Sequence, residues 1–166
     1  MAHNSTLAVF DTFNKKLVSY LIVGGTAVSF YGQYRRSITS SGEVVDKPDI
    51  DIWYNPTYTN YYNLLNALRA LGQDVIRYQE ETTPDPKSAF FKYELDDYTL
   101  DLIPRLHAPL KFSDCFSRRT IATAARIELP FISLADLLTD KRSLGRAKDL
   151  SDIENLRRNN PDSLGL

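Results

Sequence analysis

The sequence predicts an α/β chain, in the α+β sense: a small mixed sheet of about five strands flanked by helices. Three observations predict it. Short apolar runs at 20–23, 48–54 and 98–103 have strand length and alternate with stretches of helical period. The clearest helical stretch, about 59–71, repeats Tyr61, Leu64, Leu65, Leu68 and Leu71 at helical spacing before Gly72. Gly24-Gly25 closes the first apolar run and opens a short helix. With 166 residues the chain suits one compact domain over 1–166, with a core at about 18–130 and C-terminal helices at about 133–158.

The elements are expected in this order. Leu7, Val9, Phe10, Phe13, Leu17 and Val18 give an apolar stripe that predicts a helix over 7–18. The strand 20–23 follows, then a helix from Thr26 to Tyr31 that Gly32 stops. Residues 33–47 read as a polar loop, and Asn55-Pro56 breaks the strand at 48–54. After the helix at 59–71, a weak strand is expected at 74–79. A hairpin is expected from 89–95 and 98–103 around Asp96-Asp97. A short helix at 112–119 and short strands at 121–124 and 126–129 come next. Ser133 followed by Asp136 starts a capping-box-like helix that ends at Gly145. The last helix, 148–158, has Leu150, Ile153 and Leu156 inward, a Lys148–Asp152 pair at i,i+4, and Pro161 beyond its end. The last two helices are expected to pack together as a C-terminal subdomain.

Bulk properties narrow the function. A net charge of −1 and a pI of about 6.1 argue against a general polyanion-binding surface, leaving room only for a local basic patch. The single cysteine, Cys115, rules out an intrachain disulfide, fits a reducing cytoplasm and reads as a small buried hydrophobe. Cys115, His3 and His107 lack metal-ligand spacing. No basic segment followed by a long apolar core opens the chain, and no apolar run reaches the ~20 residues of a bilayer span. A cytoplasmic location without membrane contact is the expectation.

Chemistry concentrates in the acids of apolar strands. Asp49 and Asp51 stand in Pro48-Asp49-Ile50-Asp51-Ile52-Trp53, and Asp101 stands in Leu100-Asp101-Leu102-Ile103. Strand side chains alternate faces, so Asp49 and Asp51 share one, roughly 6–7 Å apart. Carboxylates in apolar surroundings are costly unless paired, and a divalent cation held at about 2.1 Å is one way to pair them. Asp49 and Asp51 are therefore candidate ligands for one or two Mg²⁺ (or Mn²⁺) ions, and Asp101 can share a metal or take a proton. Backbone N–H groups of Gly24, Gly25 and Thr26 at a helix start suit an anionic phosphate, and the Thr26 hydroxyl can add a donor. Lys141 and Lys148 are candidate contacts for a nucleotide triphosphate or an acceptor, and Arg146 is a weaker one. The plain alternative for all three is helix-end charge and i,i+4 pairing. Asp149 and Asp152 read as structural.

The ordered set resembles the nucleotidyltransferase superfamily, whose minimal members share a catalytic core with the DNA polymerase beta-like enzymes. Its pattern is an apolar strand, Gly-Gly or Gly-Ser, a short helix, Asp-x-Asp, and a third acid on a later strand. Here these are Ile22-Val23-Gly24-Gly25-Thr26-Ala27-Val28, Asp49-Ile50-Asp51 and Asp101. The abortive-infection-type toxin transferases are a similar subgroup. Arg35 and Thr39 echo their Arg-x-x-x-Thr. Ile132-Ser133-Leu134-Ala135-Asp136-Leu137, Lys141 and Gly145-Arg146-Ala147-Lys148-Asp149-Leu150-Ser151-Asp152-Ile153 echo their later motifs. The resemblance covers about 18–158. It implies transfer of a nucleoside monophosphate from an NTP to an acceptor hydroxyl or phosphate on RNA, protein or a small molecule. Mg²⁺ would be the cofactor, catalysis would fall to Asp49, Asp51 and Asp101, and an antitoxin-like partner is conceivable.

Two departures stand out. The spacing from Gly25 to Asp49 is long, with 40–47 resembling an insertion, and Thr26 stands where many members have Ser. Tyr31, Tyr34, Arg35 and Arg36 are possible contacts for an RNA end, although tyrosines at this density usually pack. Two other function classes compete. One is a non-catalytic nucleotide- or partner-binding module, against which the retention of three acids argues. The other is a metal-dependent nuclease, whose Glu-x-Lys is absent because Glu94-Leu95-Asp96 lacks the lysine.

Overall fold

A computed structural model of the chain describes residues 2–32, 37–38, 44–45 and 47–162. Helix α1 (Ala2–Lys15) leads to β1 (Tyr20–Ile22) and α2 (Gly24–Tyr31). The short strands β2 (Ser37–Ile38) and β3 (Val44–Val45) follow, then β4 (Asp49–Tyr54), α3 (Tyr58–Ala70) and α4 (Ile76–Gln79). A 3₁₀ turn at Pro86–Ser88 enters β5 (Phe91–Glu94), which is followed by β6 (Thr99–Ile103) and α5 (Phe112–Ser117). The chain ends with β7 (Thr120–Ala124), β8 (Ile127–Phe131), α6 (Leu134–Leu144) and α7 (Ala147–Asn159).

Six strands form one mixed sheet in the order β5-β6-β4-β1-β8-β7, one more than expected. β4 runs parallel to β6 and antiparallel to β1, and β1 runs parallel to β8. The β5–β6 pair is the anticipated hairpin, and the two short strands expected near 121–129 pair as a second one, β7 with β8. A separate two-stranded ribbon, β2 with β3, replaces part of the expected polar loop. Tyr34, Arg35, Arg36, Thr39 and most of the 40–47 insertion lie outside the described residues.

Strand alternation divides the sheet. Tyr20, Ile22, Ile52, Tyr54, Leu100, Leu102 and Phe91 lie on one face, under α1 and α3. There the Phe13 ring meets Tyr20 edge-on at 5.4 Å, and Tyr61 meets Phe91 at 6.3 Å. Leu21, Trp53 and Ile103 lie on the other face, with Asp49, Asp51 and Asp101. Trp53 anchors that face: its ring meets Phe112 of α5 edge-on at 5.2 Å, and its indole N–H donates to the Pro104 carbonyl at 3.1 Å. Apolar burial at about 25 cal/mol per Å² makes these rings the main fastening of the sheet to its helices.

Caps mark the start of α3 and both ends of α6. Thr57 accepts the Asn60 N–H at 3.2 Å to start α3, and Ser133 accepts the Asp136 N–H at 3.1 Å to start α6. Gly145, at φ +63°, closes α6.

Three expectations are corrected. Residues 74–79 contain the one-turn helix α4 and no strand, because the Asp74 carboxylate accepts the Ile76 N–H at 3.2 Å and turns the chain. The first helix stops at Lys15, and Leu17, at φ +60°, is exposed. Leu150 points to solvent, while Ile153 and Leu156 are buried as expected.

Helices α6 and α7 pack on each other and on α2. A Cβ at Gly32 would stand 2.7 Å from the Asn155 amide oxygen, so a larger residue there would have to displace that side chain. The Asn160 amide donates to the Tyr31 carbonyl at 2.8 Å. Tyr31 is a packing residue: its hydroxyl donates to the Ile132 carbonyl at 2.7 Å and lies 2.8 Å from the Thr120 hydroxyl.

Candidate functional site

The register of β4 against β6 sets Asp51 directly opposite Asp101, and Asp49 opposite Thr99. Paired residues on neighbouring strands point to the same face, about 4.8 Å apart. Asp49 shares that face by alternation. Asp49 is exposed at the strand's start, and Asp51 and Asp101 are half-buried.

The β1–α2 turn closes over Asp51. Gly24 takes φ +58°, and a Cβ there would stand 2.7 Å from the Asp51 Oδ2 and 2.9 Å from its carboxyl carbon. Only glycine permits both this backbone conformation and this approach. The Gly25 N–H donates to Asp51 Oδ2 at 3.1 Å, and the Val23 N–H donates to the Asp51 carbonyl at 3.0 Å. Thr26 completes the fastening: its hydroxyl donates to the Asp49 carbonyl at 2.9 Å and accepts the Asp51 N–H at 3.2 Å. In this structure the Thr26 hydroxyl is therefore engaged in holding the acid strand.

The electrostatics are those of a crowded acid cluster. Burial, and then the charges of Asp101 and Asp49, push the Asp51 carboxyl up to about 6, against the opposing pull of the Gly25 N–H and Lys141. Asp101 is raised as well, by burial and by Asp49, while Lys92 draws it back down.

Lys92 is the residue that sequence reasoning missed. It stands directly opposite Asp101 across the β5–β6 pair, so one row crosses the sheet from Lys92 to Asp101 to Asp51. The signal was present: a two-residue turn at Asp96-Asp97, closed by the Leu95 N–H on the Tyr98 carbonyl at 2.9 Å, sets that register.

The late basic residues divide. Lys141 is buried, with its ammonium 3.3 Å from Asp149 Oδ1 and 3.0 Å from Asp152 Oδ2. Its field reaches Asp51. The Arg146 guanidinium binds the same Asp149 at 2.6 and 3.1 Å. Burial alone would raise Asp149, but the Arg146 hydrogen bond and Lys141 hold it down at about 2. Asp149 and Asp152 thus take part in buried ion pairs, in keeping with a structural role, and Lys141 is a partner of Asp152. Lys148 lies exposed in the first turn of α7. Cys115 is fully buried, and burial and Asp136 push its thiol up to about 11, as befits a packing residue.

The donor set suits a hard divalent cation. It is all carboxylate oxygen, gathered on one sheet face, and neighbouring acidic charge raises the proton affinity of Asp51 and Asp101. Among the described residues, no group of three or more His, Cys, Asp or Glu side chains is placed to hold a metal ion as it stands, so the three carboxylates would have to turn toward one another to hold one. No described helix is long and apolar enough to cross a membrane.

No protein-family model and no curated protein matches the chain. Among solved structures, the chain is similar to the antibiotic-resistance factor ANT(2'')-Ia, whose solution structure reveals substrate-regulated conformation dynamics. The TM-score is 0.56 at 16% identity, over 94% of this chain and 83% of that one. The fold is thus nucleotidyltransferase-like. The likeness does not extend to the abortive-infection-type subgroup or to an antitoxin-like partner.

Proposed function

We propose that the chain is a nucleotidyltransferase that moves a nucleoside monophosphate from an NTP to an acceptor hydroxyl and releases pyrophosphate. The observation that carries this reading is the pairing of Asp51 with Asp101 beneath the Gly24-Gly25 turn. The nucleotidyltransferase-like fold supports it.

In this reading Asp49, Asp51 and Asp101 hold Mg²⁺ or Mn²⁺, which supplies charge neutralisation at the transferring phosphoryl group. The start of α2, Gly24 to Thr26, faces the triphosphate, where N–H groups and the helix dipole favour anions. The acceptor oxygen attacks the α-phosphorus, an O–P bond forms, and the bond to the β-phosphate oxygen breaks. The acceptor proton passes to the Asp101 carboxylate, which stands opposite Asp51 in the β4–β6 register. Buried Lys141 contributes its field to Asp51 from beneath, as a positioning group. Exposed Lys148 remains available for a direct phosphate contact.

Each labelled NTP, incubated with Mg²⁺ and separate pools of tRNA, protein and aminoglycosides, tests the proposal. Label should move to one pool, and Asp51→Asn or Asp101→Asn should lower transfer by about 10²-fold or more. If no pool is labelled, or if both variants transfer as well as wild type, the chain is a binding module on this fold.

A further inference from the structure

The row of side chains that contains Asp51 and Asp101 does not end at the acids. It continues to the sheet edge with Lys92, exposed on β5. Two residues earlier, the exposed Phe90 leaves 52% of its surface open. The Arg105 guanidinium lies over the Phe90 ring, 5.2 Å from its centroid. Arg105 also donates to the Lys87 carbonyl at 3.0 Å, which brings a second exposed lysine to the same corner. Besides Asp101, two exposed acids flank this segment. Glu94 is partnered by Lys47 at 3.7 Å, and Asp85 is exposed beside the Pro86 turn. Lys92, the Arg105-capped Phe90 ring and the exposed Lys87 thus lie along the chain segment that extends the carboxylate row outward.

We infer that this edge of β5 docks the acceptor, and that the acceptor is a single-stranded polynucleotide end. The inference rests on the proposed transferase reading, which puts the triphosphate at the β1–α2 turn. In-line displacement requires the acceptor to approach opposite the leaving pyrophosphate. From the glycine turn the row runs Asp51, Asp101, Lys92, so the acceptor arrives across β6 and β5. A phosphodiester next to the attacking hydroxyl suits Lys92 and Arg105. A base of any identity suits the free face of Phe90, since every base has a stacking face. Lys92 beside Asp101 repels a polycationic acceptor in the same place. The net charge of −1 made a broad polyanion-binding surface untenable, and a local patch of this size is compatible with it.

Binding of a fluorescent single-stranded RNA oligonucleotide to the full chain, without NTP or metal, tests the inference apart from catalysis. Lys92→Glu and Phe90→Ala should each weaken binding by about 10-fold, in line with the loss of a phosphate contact and of one stacked base. Lys92→Arg should restore it. Arg158→Glu, an equal charge change on exposed α7, should leave it unchanged. Wild-type affinity in both Lys92→Glu and Phe90→Ala would overturn the inference. So would equal affinity for a free nucleoside monophosphate, or tighter binding of a polyglutamate peptide. If the oligonucleotide binds as expected but no NTP label reaches it, the transferase reading fails while the docking surface stands. If label is transferred equally well by the β5 variants, the docking surface fails while the transferase reading stands.

Discussion

Replacing Asp51 by Asn should make the metal-free protein more stable at neutral pH. The Asp51 carboxyl is raised from its ordinary 3.8 to about 6 by burial and by its two acidic neighbours. At 1.36 kcal/mol per pKa unit, ionising it in the folded state costs about 3 kcal/mol. The folded chain holds this proton more tightly than the unfolded chain, so stability falls as pH rises from about 4 to about 6 and stays low above. Below about 4 the group is protonated in both states and the cost vanishes. Asn removes the charge and keeps an oxygen for the Gly25 N–H. An imperfectly satisfied amide offsets about 1 kcal/mol of the gain. At roughly 2–4 °C per kcal/mol, Asp51→Asn should melt about 4–8 °C above wild type at pH 8, and within a degree or two of it at pH 4. Melting curves in low salt without divalent ions, at half-unit pH steps, measure this. A variant that melts below wild type at pH 8, or a gap that does not change with pH, would refute the crowded-acid account.

Three further outcomes are expected. Gly24→Ala should lose about 1–2 kcal/mol in urea unfolding from its left-handed backbone alone, and NTP transfer should fall with it because the new methyl displaces the Asp51 carboxylate. Thr26→Val should lose about 1–3 kcal/mol, since one hydroxyl serves both Asp49 and Asp51, whereas Thr26→Ser should stay near wild type in the same assay. Lys141→Met should destabilise by about 1–3 kcal/mol, because it removes the buried cation that Asp149 and Asp152 share while Arg146 still binds Asp149; no measurable loss in chemical unfolding would show that the pair tolerates its absence.

Much of the fold was legible because local signals agreed with the tertiary packing. Leu64, Leu65 and Leu68 repeat at helical spacing, and the Ser133 and Gly145 caps bound α6 as the sequence implies. The alternation of Asp49, Ile50 and Asp51 gave the common acid face directly. The opposition of Asp51 to Asp101 was not legible, since parallel pairing between strands so far apart in the chain leaves no local trace. Lys92 was readable through its two-residue turn, but its exposed, polar strand drew no attention. Lys141 looked like an exposed helix-end charge. Its burial depends on Asp149 and Asp152, which α7 brings back against α6 after Gly145 reverses the chain. Val75 followed by Ile76 has strand propensity, yet one side-chain hydrogen bond from Asp74 decided the local conformation.

The Gly25 amide carries one hydrogen, and in this structure Asp51 holds it. That amide cannot serve Asp51 and an incoming phosphate at the same time. Anything that draws the Asp51 oxygen toward the other two carboxylates releases the amide, and any anion that captures the amide frees the Asp51 oxygen to turn. If the turn takes a cation and a phosphate as proposed, its two sides compete for, and hand over, a single proton donor. Each ligand should tighten the binding of the other by the same factor, as linkage requires. Cooperativity of this kind needs no moving domain. It needs only a turn short enough, at Gly24, to bring a main-chain donor against a carboxylate.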